Sequence, residues 1–155
     1  MNSQPSLDDV AAWMLVRQPH FEAWPAGRLQ EWLAHWAGHG ALGVVRDGAR
    51  ILAVGIAYPC RRDQVGQPWA LPDARGGCVY CEAVIAETPR AALGLILLLE
   101  AQVPDWRQRT LCARRRNRMQ TFGLTFLRRW ARRLAASFPR VGAFGEPSPI
   151  LTYAS

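Results

Sequence analysis

Residues 76–113 read GGCVYCEAVIAETPRAALGLILLLEAQVPDWRQRTLCA, and the fold turns on this stretch. Cys78 to Ala86 reads as a strand, Pro89 to Val103 as a helix and Arg109 to Ala113 as a second strand. The middle of the helix, Leu93-Gly94-Leu95-Ile96-Leu97-Leu98-Leu99, is apolar on nearly every side, which predicts cover over most of its surface. Strand, helix and strand in this succession are what a parallel crossover looks like in sequence. Directly behind it stands Arg114-Arg115-Arg116-Asn117-Arg118, the densest charge in the chain.

Upstream, Ser6 and Asp9 are spaced as a capping box. Val10, Trp13, Met14 and Arg17 then follow at helical spacing up to Pro19. A second amphipathic helix carries Leu29, Trp32, Leu33 and Trp36 and stops at Gly38 and Gly40. Ala41 to Arg46 and Ile51 to Pro59 are apolar, valine- and isoleucine-rich runs joined across Asp47-Gly48, a strong hairpin signal. Arg61 to Gly77 has no periodicity and reads as a loop long enough to be either mobile or functional.

Downstream, Met119 to Phe138 reads as an amphipathic helix. Met119, Phe122, Phe126, Leu127, Trp130 and Leu134 share one face, with Arg128, Arg129, Arg132 and Arg133 on the other. Val141 to Phe144 and Ile150 to Tyr153 are candidates for two short final strands. The whole predicts an α/β (α+β) fold: a mixed central sheet, two N-terminal helices, a parallel β-α-β crossover and a C-terminal amphipathic helix. At 155 residues, one domain over residues 1–155 is long enough to bury its own core.

The formal net charge is +7, and all 19 basic residues are arginine. With no lysine, the chain has no side-chain amine for Schiff-base or self-acylation chemistry. Arginine instead presents a permanently charged fork suited to carboxylates and phosphates. An anionic partner follows as the first expectation: a phosphate-bearing ligand, nucleic acid or an acidic protein. No apolar run approaches the roughly 18 residues of a membrane span. Met1 to Pro5 leads into acidic Asp8-Asp9 rather than a secretory leader. Together these point to a cytoplasmic chain whose cysteines, Cys60, Cys78, Cys81 and Cys112, are reduced thiols.

Between the central strand and its helix the chain reads Glu87-Thr88-Pro89-Arg90-Ala91-Ala92-Leu93-Gly94. The order of elements resembles the GNAT acyltransferase fold from about Leu7 to Tyr153, and more loosely the GNAT-like toxin-activating acyltransferases. In the family this turn is Arg/Gln-x-x-Gly-x-Gly/Ala, whose amides at a helix N-terminus cradle the CoA pyrophosphate. Here Arg90 and Gly94 are one residue further apart, and Ile96 replaces the second glycine. The resemblance implies acyl transfer from acyl-CoA, as co-substrate, to an amine. Arg114 and Arg115 leave the C-terminal end of a strand, where open sheets bind ligands, and so are well placed for a phosphate of the donor; the resemblance itself places Thr88, Arg90 and Ala91 at the phosphate turn. It also implies Glu82 as general base, from the central strand, and Tyr153 as general acid.

Other candidates are read from the residues alone. Arg116, Arg118, Arg128 and Arg132 belong to an arginine face that could instead bind nucleic acid or an acidic protein in a catalytically inactive relative of the fold. Cys78 and Cys81 have the spacing of a zinc half-site, but in a strand they point to opposite faces, so buried thiols are expected and no metal site. His35 and His39 are four apart with Gly38 between them, which breaks a helical ligand pair. Trp13, Trp32 and Trp36 are expected in the core or at a self-association surface. Trp69, in the long loop, is expected to be exposed.

Overall fold

The computed structural model describes residues 4–115, 118–122, 129 and 151–152. Ser6 caps helix α1 (Leu7–Arg17) through a complete capping box with Asp9, as its spacing predicts. Pro19 closes that helix, and residues 19–23 continue as a 3-10 turn. Helix α2 (Arg28–Gly38) starts at Gly27, whose φ of 81° lies in the left-handed region open to glycine. Strands β1 (Leu42–Asp47) and β2 (Arg50–Cys60) form the hairpin, with Gly48 supplying the positive φ of its two-residue turn.

The crossover is as its sequence predicts. Strand β3 (Cys78–Ala86), helix α3 (Pro89–Gln102) and strand β4 (Thr110–Arg115) follow in order, and β3 pairs with β4 in parallel. Strand β5 (Arg118–Phe122) returns antiparallel on β4, and β6 (Leu151–Thr152) pairs antiparallel with β1. Among the described residues the sheet runs β5-β4-β3-β2-β1-β6, a mixed sheet of an α+β fold.

Each face of the sheet has its own core. Val54, Ile56 and Tyr58 of β2 point towards α1 and α2, where they meet Val10, Met14, Leu33 and Trp36. The alternate residues Ala53, Gly55 and Ala57 face α3. They are small for a reason. A Cβ on Gly55 would stand 2.8 Å from Leu95, and one on its register partner Gly43 would stand 2.9 Å from Leu98. The glycine pair therefore lets the leucines of α3 sit directly on the sheet.

Helix α3 is covered over most of its surface, as its sequence predicts: Leu93, Leu95, Leu98 and Leu99 are buried, and of residues 91–100 only Leu97 is exposed, at 54%. One expectation needs correction. The helix expected from Met119 starts too early, because residues 118–122 form β5. Met119 and Phe122 do recur at helical spacing, but the open edge of β4 takes these residues into a ladder from Leu111↔Phe122 to Arg115↔Arg118. Beyond it, Arg129 is helical and exposed. Arg116, Arg128, Arg132, Tyr153 and the strand expected over Val141 to Phe144 lie outside the described residues. No helix among those described is long and apolar enough to cross a membrane.

Candidate active site

The parallel β3–β4 ladder pairs Cys78 with Thr110 through Cys81 with Ala113, and stops there. Beyond it β3 continues against β2 alone, while β4 continues with Arg114 and Arg115 against β5. At the same level β3 has a bulge: Ala57 pairs with Cys81 and Ile56 with Ala83, so Glu82 is skipped. Glu82 thus has no register partner on either neighbouring strand. The extra residue also rephases the strand, and both Glu82 and Ala83 line a cavity on the α1–α2 side.

That side holds two adjoining cavities. The larger, about 890 Å³, is lined by Tyr80, Glu82 and Arg114 from the sheet, by His20, Trp24 and Arg28 from the first helical layer, and by Gly66 and Trp69 from the long loop. The smaller, about 310 Å³, shares His20, Trp24, Trp32 and Glu82 and adds Phe21, Ala83, Val84 and Ile85. His20 is exposed at the rim and Glu82 is half-buried. Burial raises the Glu82 carboxyl above its ordinary value, partly offset by the positive charge of Arg114. Burial likewise raises the Tyr80 phenol, with the Glu82 charge adding to the effect and Arg114 opposing it, so the hydroxyl keeps its proton.

The long loop is tied down. Asp73 N–H donates to the Pro59 carbonyl at 2.8 Å, and the Arg109 guanidinium donates to the carbonyls of Ala74 and Gly76. Trp69 is half-buried rather than exposed, with Arg28 over its ring at 4.6 Å and the His35 ring against it at 5.3 Å. His35 Nε2 also lies 3.2 Å from the Ala70 carbonyl.

The other predicted residues fall in different places. Thr88, Arg90 and Ala91 form the start of α3 and line neither cavity. Pro89 has no amide, Ala91 N–H donates to Thr88 Oγ1 at 3.1 Å, and Ala92 N–H to the Thr88 carbonyl at 3.0 Å. Little of a phosphate cradle is left there. Glu87 beside it accepts from both Arg17 and Arg50. Arg114 walls the larger cavity, and Arg118 is exposed on β5 opposite Arg115. Cys78 and Cys81 do point to opposite faces, and all four thiols are buried. Among the described residues no group of His, Cys, Asp or Glu is placed to hold a metal ion.

His20 and Tyr80 escape a reading of the sequence alone. Tyr80 could have been found as the same-face neighbour of Glu82, two positions back along the strand. For His20 the local signal is only that Pro19 ends α1, so that the next side chain leaves the helical stripe. Compared with protein-family models, curated proteins and solved structures, the chain matches none.

Proposed function

We propose that the chain is a divergent GNAT-like acyltransferase, which moves an acyl group from a phosphopantetheine thioester such as acyl-CoA to an amine. The observation that carries this reading is the position of Glu82. It stands in a bulge where the parallel ladder ends, without a strand partner, on the wall of a cavity it shares with His20 and Tyr80. In the reaction Glu82 takes the proton from the attacking amine as the new C–N bond forms. Collapse of the tetrahedral intermediate breaks the C–S bond, and the released thiolate takes a proton from the Tyr80 hydroxyl. His20, exposed at the rim of the cavity that holds the pair, is positioned to relay the released proton to solvent.

The anionic end of the donor falls to Arg114, which walls the larger cavity, rather than to the first turn of α3, whose amides are mostly engaged. The acyl group can come on CoA or on an acidic carrier protein, and both carry the same thioester. Such donors, together with four free, buried thiols, favour a cytoplasmic setting for the activity. Nucleic acid is the weaker partner, because Trp106, the described tryptophan nearest the arginine cluster in sequence, is 4% exposed and offers no stacking platform.

The test supplies acyl-CoA and acyl carrier protein separately, with a panel of primary amines and lysine peptides, and follows the acyl mass shift. Transfer from either donor that is lost in Glu82→Gln supports the reading and identifies the donor. No transfer and no binding with both donors overturns it.

A further inference from the structure

The two cavities share Gln18, His20, Trp24, Trp32 and Glu82 and differ beyond them. The larger adds Arg28, Tyr80 and Arg114, groups that hold polar or charged parts of a ligand. The smaller adds Phe21, Ala83, Val84 and Ile85, and apart from Gln18 its only polar lining is the shared Glu82 and His20. Its aromatic wall is preformed. Phe21 and Trp24 meet edge to face at 4.9 Å, Trp24 and Trp32 at 5.6 Å, and Phe21 and Trp32 lie 5.9 Å apart. Opposite them runs the stretch of β3 that has left β4, with Val84 45% exposed.

From this juxtaposition we infer that the smaller cavity is the acyl-chain subsite, taking an extended, neutral hydrocarbon chain whose carbonyl end lies at Glu82. The inference rests on the acyltransfer reading and names which side of the site receives the acyl group. Beyond Gln18, Glu82 and His20 the lining is apolar or aromatic, so a polar chain would lose its hydration there with few hydrogen bonds in return. A hydrocarbon gains about fourfold in affinity per buried methylene. At about 310 Å³ the space is at the lower end of small-molecule pockets, so it fills at a definite chain length. Ala83 and Trp24 both line it, a small and a large side chain that set that limit.

The experiment titrates the full chain with straight-chain primary alcohols of increasing length, read by tryptophan fluorescence. These probes have no thioester and do not depend on catalysis. Affinity is expected to rise about fourfold per carbon and then level off. In Ala83→Leu the levelling comes about three carbons earlier, and in Trp24→Leu later. Trp24 is half-buried, so its variant provides a second reading if Ala83→Leu does not fold. A series without length dependence, or a break that moves in neither variant, overturns the subsite. If the break moves but no thioester is consumed, the subsite stands and the transfer reading falls. If acetyl transfer occurs and the break stays fixed, the transfer reading stands and the subsite falls.

Discussion

Glu82 and His20 wall the same two cavities, one from a bulge in β3 and the other from the 3-10 turn that ends α1. The carboxyl is shifted upwards by burial more than Arg114 can offset. A base of this kind works only once ionised, so the transfer rate should rise with pH through the raised value. Glu82→Gln should lower turnover about 100-fold or more. Its effect on stability has the opposite sign. A carboxyl whose folded pKa is raised stabilises the fold below its unfolded pKa, about 4.3, and that contribution is lost as pH rises through the folded value. Glutamine stays neutral throughout. Glu82→Gln should therefore melt above wild type at pH 7, with the gap closing in acid. Equal melting temperatures at pH 7 would count against an ionised, strained Glu82.

Gly76 and Gly94 should respond oppositely to the same change. A Cβ on Gly76 would lie 2.1 Å from the backbone carbonyl of Cys60, which cannot move without shifting β2. Gly76→Ala should cost about 3 kcal/mol, at the upper end for overpacking. Gly94 sits inside α3, and its nearest neighbour would be Val45 at an ordinary 3.7 Å. Gly94→Ala should stabilise by about 0.5–1 kcal/mol through helix propensity. Urea unfolding measures both, and a neutral Gly76→Ala would show that the loop is not held against β2 as described.

The difference between these glycines also shows what the sequence makes legible. The crossover could be read because Leu93 to Leu99 and the flanking strands each satisfy a local pattern. Gly48 announces its turn for the same reason. The bulge cannot be read, because Cys78 to Ala86 is uniformly strand-like and only the register against Ile56 and Ala57 leaves Glu82 out. β5 is lost to a false helical period, since Met119 and Phe122 fit both patterns until the open edge of β4 decides. The pairing of His20 with Glu82 joins two distant segments, and no spacing rule spans them. Local chemistry gives the elements, and long-range pairing makes the site.

Glu87 ties the end of α1 and the start of β2 to the turn before α3, through Arg17 and Arg50. Burial raises its carboxyl, but the hydrogen bonds and charges of the two arginines outweigh that and hold it below the ordinary value. A depressed pKa contributes stability above the unfolded value, about 4.3, which is lost as pH falls through the folded one. Glu87→Gln should therefore melt below wild type at pH 7, and the difference should shrink only in more acidic solution. Calorimetry across this range checks it; a gap unchanged well below pH 4.3 would show that the loss is steric rather than ionic.

The thiols give the last prediction. Cys60 and Cys81 are pushed up to about 12, each mainly by burial with neighbouring thiols adding to it. Cys112 rises from 9.0 to about 11 by burial and by Cys78 beside it. For Cys112 alone this lowers the thiolate fraction near pH 8 about 100-fold, and the thiolate is the reactive form. A disulfide reagent such as dithionitrobenzoate should accordingly leave the native chain almost unreacted on the time scale of minutes. All four thiols should titrate at once in denaturant. Because Cys78 and Cys81 face opposite cores, added zinc should not change the reactivity of either in the native chain. Rapid reaction of one thiol per native chain would mean that the β2–β3–β4 core opens without global unfolding.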